Sequence, residues 1–196
     1  MRIVIGRPAG SVSILNIESS EDHVLVDLPF RSSVRAIAYA PDGQNIAVGC
    51  GDGSLHLIDI ERSKILASCH SHSGRIWALK FSPDGSLLFS SSQDTTVKMH
   101  EAGIRSHSIC TFSDHNGQVT SLTVSPDGRW LASGSFDGRV CLWDVEERRS
   151  FCKLLQQDAP ISAVAMTHVD PNLLISSSEK GVLMVYDFDK LVRHCA

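Results

Sequence analysis

Apolar residues come in short runs broken by turn-forming polar clusters, and residues 119–155 show the pattern clearly. Val119 to Val124 is apolar and rich in β-formers, and Ser125-Pro126-Asp127-Gly128 then turns the chain. Trp130 to Ser135 follows, and Asp137-Gly138 turns it again. Arg139 to Val145 is the next run, then the charged residues Glu146 to Arg149, then Ser150 to Leu155. Proline presets φ at the first central turn position, and glycine accepts a positive φ. The pattern predicts four strands joined by tight antiparallel turns. Proline would break a helix here, and no stretch sustains a 3.6-residue period.

The same unit recurs. Pro41-Asp42-Gly43, Pro83-Asp84-Gly85 and Pro126-Asp127-Gly128 are followed by a degraded copy, Val169-Asp170-Pro171. A two-residue break between apolar runs recurs as Ala9-Gly10, Asp52-Gly53, Asp94-Thr95, Asp137-Gly138 and Lys180-Gly181. A third marker reads Leu15-Asn16, Ile58-Asp59, His100-Glu101, Trp143-Asp144 and Tyr186-Asp187. All three keep a step of 42 or 43 residues (41 to 83, 83 to 126), so they belong to one repeat. In Val140-Cys141-Leu142-Trp143 and in Leu183-Met184-Val185-Tyr186, apolar residues occupy both alternating faces. A strand with one wet face would alternate, so these strands are expected to be covered on both sides. Four-stranded sheets of about 40–45 residues stacked face to face are the blades of a β-propeller. The expected fold is all-β, with blades at about 1–30 (lacking its first strand), 31–70, 71–113, 114–156 and 157–196.

Composition narrows the partners. Lysine plus arginine number 18 against 22 acids, a net charge of -4. That balance lacks the basic surplus that neutralises nucleic-acid phosphates or anchors a chain to anionic lipid. No run approaches the roughly 20 apolar residues of a membrane helix, and Met1 to Gly6 is too short for a secretory signal. A soluble cytoplasmic protein is expected, with the nucleus as a second location. The six cysteines contain no Cys-x-x-Cys pair and read mostly as small buried thiols.

Trp143-Asp144 completes a resemblance to the WD-repeat family, which spans essentially the whole chain. The family's buried tetrad of His, Ser or Thr, Asp and Trp is matched in full by His115, Ser133, Asp137 and Trp143. His72, Ser90 and Asp94 match in the preceding copy, with His100 in place of the Trp. The copy before keeps Asp52, with Ile58 at the Trp position. The last keeps Ser176, with Lys180 and Tyr186 at the Asp and Trp positions. The resemblance implies that the Asp is held by the His and by turn amides, and that the Ser accepts from the indole N–H.

Other chemistry is weaker. A Ser, a His and an Asp invite a hydrolase reading, but no Gly-x-Ser-x-Gly elbow is present and the trio already fits the tetrad. Gly49-Cys50-Gly51-Asp52-Gly53 looks like a phosphate cradle, yet a strand-like run follows it where a helix is needed. His70 and His72 form a His-x-His pair, but His72 is already a tetrad match, and a metal needs three or four ligands. No catalytic residue, metal, cofactor or small-molecule substrate is expected.

What remains is a rigid scaffold that displays loops, expected to be a non-catalytic interaction module for other proteins. Relatives in the family often dock partners on one face. The matching positions are Ser33, Arg35 and Gly51; Arg75, Trp77 and Gln93; Gln118, Thr120 and Phe136; and Ser162 and Glu179. Trp77, Phe136, Arg75 and Arg35 stand out, because aromatics and Arg dominate interface hot spots; Trp77 packing between blades is the alternative. Two other roles stay open: a ubiquitin-ligase substrate receptor and a microtubule-associated propeller of the EMAP-like type. The first is weakened because Glu146 stands where Trp-Asp-x-Arg needs its Arg. The repeat also resets the meaning of the length. At this period 196 residues hold about four and a half blades, against about 300 residues for seven. The last copy has only Leu191 to Ala196 where an outer strand is expected. Open blade edges would be aggregation-prone, so the chain is expected to be part of a larger propeller or to close with a second chain.

Overall fold

The computed structural model describes residues 2–7, 10–16, 32–103, 108–154, 157–167 and 172–195. Ala9, residues 17–31, Leu155, the Val169-Asp170-Pro171 turn and Ala196 lie outside them. Strands β1 (Arg2–Gly6) and β2 (Val12–Asn16) form an antiparallel pair. The next sheet holds β3 (Val34–Tyr39), β4 (Asn45–Cys50), β5 (Ser54–Asp59) and β6 (Lys64–His70). A third holds β7 (Ile76–Phe81), β8 (Leu87–Ser92), β9 (Val97–Glu101) and β10 (Cys110–Phe112). A fourth holds β11 (Val119–Val124), β12 (Trp130–Ser135), β13 (Val140–Asp144) and β14 (Arg149–Lys153). The last has β15 (Ile161–Met166), β16 (Leu173–Ser178) and β17 (Leu183–Asp187), followed by helix α1 (Phe188–Cys195). Within each sheet the strands pair in chain order, a simple meander. The first strands β3, β7, β11 and β15 lie side by side, so the sheets radiate from a shared inner edge as an open, incomplete β-propeller. Among the described residues no helix is long and apolar enough to cross a membrane.

The hydrophobic core is divided among the gaps between sheets. One cluster joins Val12 to Ile46, Val48 and Ile58; the next joins Ala47 and Leu55 to Ile76 and Leu79. A third joins Phe89 and Met99 to Val119 and Trp143, and a fourth joins Trp130 and Leu142 to Ile161, Val164 and Phe188. β13 is buried along its whole length, which explains its apolar residues on both faces. Glycine in the second strand lets the sheets close up. A Cβ on Gly49 would lie 2.6 Å from Ile76 Cγ2, and one on Gly134 would lie 2.5 Å from Ile161 Cγ2. Each sheet therefore depends on its neighbour, as in other stacked repeats.

The turns follow the sequence signals. Gly43, Gly85 and Gly128 take φ of 67°, 74° and 76° after their Pro-Asp pairs. Gly53, Gly138 and Gly181 do the same at the second turn, where Thr95 alone enters this region with a side chain, at φ 71°.

Two expectations need correction, and the last sheet ends unlike the others: where the repeat calls for an outer strand and leaves only a stub, helix α1 spans Phe188–Cys195. Asp187 caps the helix by accepting the Lys190 amide at 3.0 Å, and Phe188, Leu191 and Val192 share its buried face. β17 is not covered on both sides: Leu183 and Val185 are 64% and 55% exposed, because no described sheet packs beyond it. Among the cysteines whose burial is described, only Cys50 and Cys141 are fully buried; Cys69, Cys110 and Cys152 sit half-buried on the outer strands β6, β10 and β14.

Candidate interaction face

In the fourth sheet a chain of hydrogen bonds ties three strands to one turn. The Trp143 indole N–H donates to Ser133 Oγ at 2.8 Å, and Ser133 Oγ lies 2.8 Å from His115 Nε2. His115 Nδ1 lies 3.0 Å from Asp137 Oδ2. The amides of Asn116 and Arg139 donate to the same carboxylate, both at 2.9 Å. The network assigns the protons: Ser133 O–H donates to Nε2, and Nδ1–H donates to Asp137. Burial pushes the Asp137 carboxyl up, but these donors outweigh it and hold it at about 2. The third sheet repeats the arrangement, with His72 bridging Asp94 at 2.9 Å and Ser90 at 2.8 Å. There His100 Nε2 takes the indole's place, 3.3 Å from Ser90 Oγ and 3.1 Å from Ser71 Oγ. Asp52 in the second sheet is exposed and accepts from Ser54, through its amide and its hydroxyl. In the last sheet Ser176 accepts from Gln157 Nε2 at 3.0 Å.

Ser133, His115 and Asp137 have the connectivity of a catalytic triad. Ser133 is 0% exposed, however, and its oxygen is covered by the indole N–H. The cavities at the Ser125–Gly128 end of this sheet are lined by other residues. A nucleophile must reach its substrate, and this one is sealed into the core. Among the described residues, no group of three His, Cys, Asp or Glu side chains could hold a metal ion.

These buried networks hold a face together. The residue before each second turn donates its amide to the carbonyl just ahead of an inner strand. Gly51 pairs with Ser33, Gln93 with Arg75, Phe136 with Gln118 and Glu179 with Pro160, at 2.8 or 2.9 Å. The predicted positions are thus brought together pairwise along one end of the sheets. A β-bulge recurs at the second residue of every inner strand: Arg35, Trp77, Thr120 and Ser162 are the extra residues. A bulge removes its residue from the ladder and re-aims its side chain. Turn and period signals carried no hint of it, since the bulged residues share no side-chain type.

The contents of the face differ from sheet to sheet. Trp77 is half-buried, its indole donating to Gln118 Oε1 at 3.1 Å and its ring lying 5.0 Å beneath the Arg75 guanidinium. It links two sheets and also meets solvent, so packing and display coexist. Arg75 Nε is buried and has no hydrogen-bond partner. Phe136 is 44% exposed, and Gln93 and Glu179 are exposed beside it on their turns. Arg35 is exposed and donates from Nε to Ser33 Oγ at 3.0 Å. Thr120 and Ser162 are turned to internal partners, the Ile161 carbonyl and Ser177.

The model of the WD domain, G-beta repeat, matches residues 63–101 and 106–144. The chain belongs to the WD-repeat family. Each matched copy starts in or before the outer strand of one sheet and ends with the third strand of the next, so the sequence repeat itself staples neighbouring blades. The model of the anaphase-promoting complex subunit 4 WD40 domain matches residues 27–79. Anaphase-promoting complex subunit cdc20 of Dictyostelium discoideum is 30% identical over 176 residues, covering 87% of this WD-repeat chain and 35% of that protein. WD repeat-containing protein slp1 of Schizosaccharomyces pombe is 27% identical over 164 residues, covering 84% and 33%. Protein SPA1-RELATED 3 of Arabidopsis thaliana is 29% identical over 178 residues, covering 89% and 21%. The chain spans about a third or less of the length of these relatives.

Proposed function

We propose that this WD-repeat chain is a non-catalytic platform that binds another protein through the face carrying Trp77, Arg75, Gln118 and Phe136. The observation that carries this reading is the recurring bulge, which turns Arg35 and Trp77 out of their ladders at the end of the sheets where the His72 and His115 networks hold the turns of the third and fourth sheets. Trp77 and Phe136 supply apolar area, and Arg75 lies with its guanidinium over the Trp77 ring, a pairing common at interface hot spots. The test is affinity capture from cells with the chain and its Trp77→Ala/Phe136→Ala double variant. A partner lost from the double variant, at an unchanged melting midpoint, supports the reading. A retained partner with a lowered midpoint makes these residues packing elements and overturns it.

A second reading is the substrate-receiving subunit of a ubiquitin-ligase assembly. Two matches bearing the name of the anaphase-promoting complex favour it. Ubiquitin-ligase subunits among the captured proteins would support this narrower role. Microtubule co-sedimentation would point instead to the EMAP-like alternative.

A further inference from the structure

Strand β11 ends in the Ser125–Gly128 turn, remote from the Trp77 face. There a cavity of about 330 Å³ opens between that turn, the end of β15 and α1. It exists because the last sheet continues into a helix. Phe188 and Val192 from α1 form one wall, and Trp130 and Met166 from the two flanking sheets form the other. Trp130, Met166 and Phe188 are each less than a tenth exposed, so the walls are core side chains. Phe188 stands 6.2 Å from the Trp130 ring, whereas Phe151 approaches that ring to 4.6 Å. The helix therefore leaves a gap that a close-packed interior would fill. The volume is in the range of sites that accept a bound group, about 300–1,000 Å³.

The rim is polar and mainly acidic. Asp127, Asp189 and Arg193 all line the cavity and all are exposed. Within its turn Asp127 uses Oδ1 to accept from the Ser125 hydroxyl and the Arg129 amide, which leaves Oδ2 for the rim. Asp189 accepts from the Asn172 side-chain amide at 3.3 Å, and Arg193 sits one turn further along α1. Two carboxylates against one guanidinium favour a cationic neighbour, and the walls favour an apolar body. We propose that this cavity is a second protein-docking site. It receives one large apolar side chain of an extended peptide segment, whose flanking Lys or Arg meets Asp127 and Asp189. The length of β11 puts the cavity about 20 Å from the Trp77 face, at about 3.3 Å per strand residue. One partner chain, or two partners, can hold both sites together, and linked engagement strengthens binding.

The probes are the peptides acetyl-Lys-Leu-Lys-amide and acetyl-Glu-Leu-Glu-amide, titrated into the intact chain carrying ¹³C-methyl methionine. Met166→Leu assigns the Met166 methyl, and Met99, outside this cavity, serves as the internal reference. The lysine peptide is expected to shift Met166 saturably in the millimolar range and leave Met99 in place. Asp127→Asn, which keeps an acceptor for the turn, should weaken that binding several-fold. Val192→Trp, which fills the cavity, should abolish it at an unchanged melting midpoint. An unmoved Met166, equal binding of the glutamate peptide, or binding that survives a folded Val192→Trp each overturns the proposal. The Trp77→Ala/Phe136→Ala variant should still bind the lysine peptide, so the two sites fail or hold independently.

Discussion

Asp137 carries the sharpest consequence of the tetrad. Replacing it with alanine strands the His115 Nδ1–H in a nearly closed site and takes the acceptor from the half-buried Arg139 amide. Leaving buried donors without acceptors costs roughly 1–3 kcal/mol. Linkage gives an independent figure. The carboxyl sits at about 2 in the folded chain against 3.8 for an unperturbed group. At 1.36 kcal/mol per unit that difference is worth about 2 kcal/mol. Because the folded value is depressed, this stability is present above about pH 4 and is lost as pH falls towards 2. The assay is urea unfolding followed by tryptophan fluorescence, comparing Asp137→Ala with Asp52→Ala. With a slope of about 2–3 kcal/mol per M, Asp137→Ala should lower the midpoint by up to about 1 M at pH 7. Asp52, exposed and bonded to its near neighbour Ser54, should shift it far less. The gap between wild type and Asp137→Ala should shrink steadily from pH 4 to pH 2. Equal midpoints for the two variants at pH 7, or a gap that does not depend on pH in acid, would refute the network as the cause.

Two further outcomes follow, one from the third sheet and one from the contact between the fourth sheet and the last. Burial, with His72 and Lys98 acting in the same direction, pushes the His100 imidazole down to about 4 from 6.5. The unfolded chain therefore takes up this proton first, and about 3 kcal/mol of stability present above pH 6.5 is lost as pH falls towards 4. Calorimetric midpoints at pH 7 and 4.5 should drop less in His100→Phe than in wild type; equal drops sink this assignment. Gly134→Ala drives a methyl to 2.5 Å from Ile161 Cγ2 and 3.0 Å from Val164 Cγ1, and overpacking of this kind costs roughly 1–3 kcal/mol. Gly43→Ala meets open space and loses only the ease of a positive φ, about 1 kcal/mol. A Gly134→Ala midpoint in urea at or above that of Gly43→Ala would remove the close-packing account.

Turn chemistry and hydrophobic period were sufficient, in the sequence alone, for the strands, the meander and the blade-on-blade stacking. Pro126-Asp127-Gly128 and Asp137-Gly138 act locally, and a strand apolar on both faces, as in Val140 to Trp143, needs two neighbours. The same rule failed at Leu183 to Tyr186, because a sequence pattern states what a strand needs covered, while only packing shows whether cover is there. Helix α1 was partly legible in Asp187 as a cap and in the spacing of Phe188, Leu191 and Val192. The repeat, which calls for an outer strand at this place, masks that helical spacing. The tetrad residues and the order of their donors and acceptors follow from the resemblance to the WD-repeat family, but the sealing of Ser133 beneath the Trp143 indole depends on three strands meeting at one turn. The bulges at Arg35, Trp77, Thr120 and Ser162 and the cavity beside α1 belong wholly to tertiary structure. Each arises from a register or a gap set between segments far apart in the chain, where no local preference of the residues involved can act.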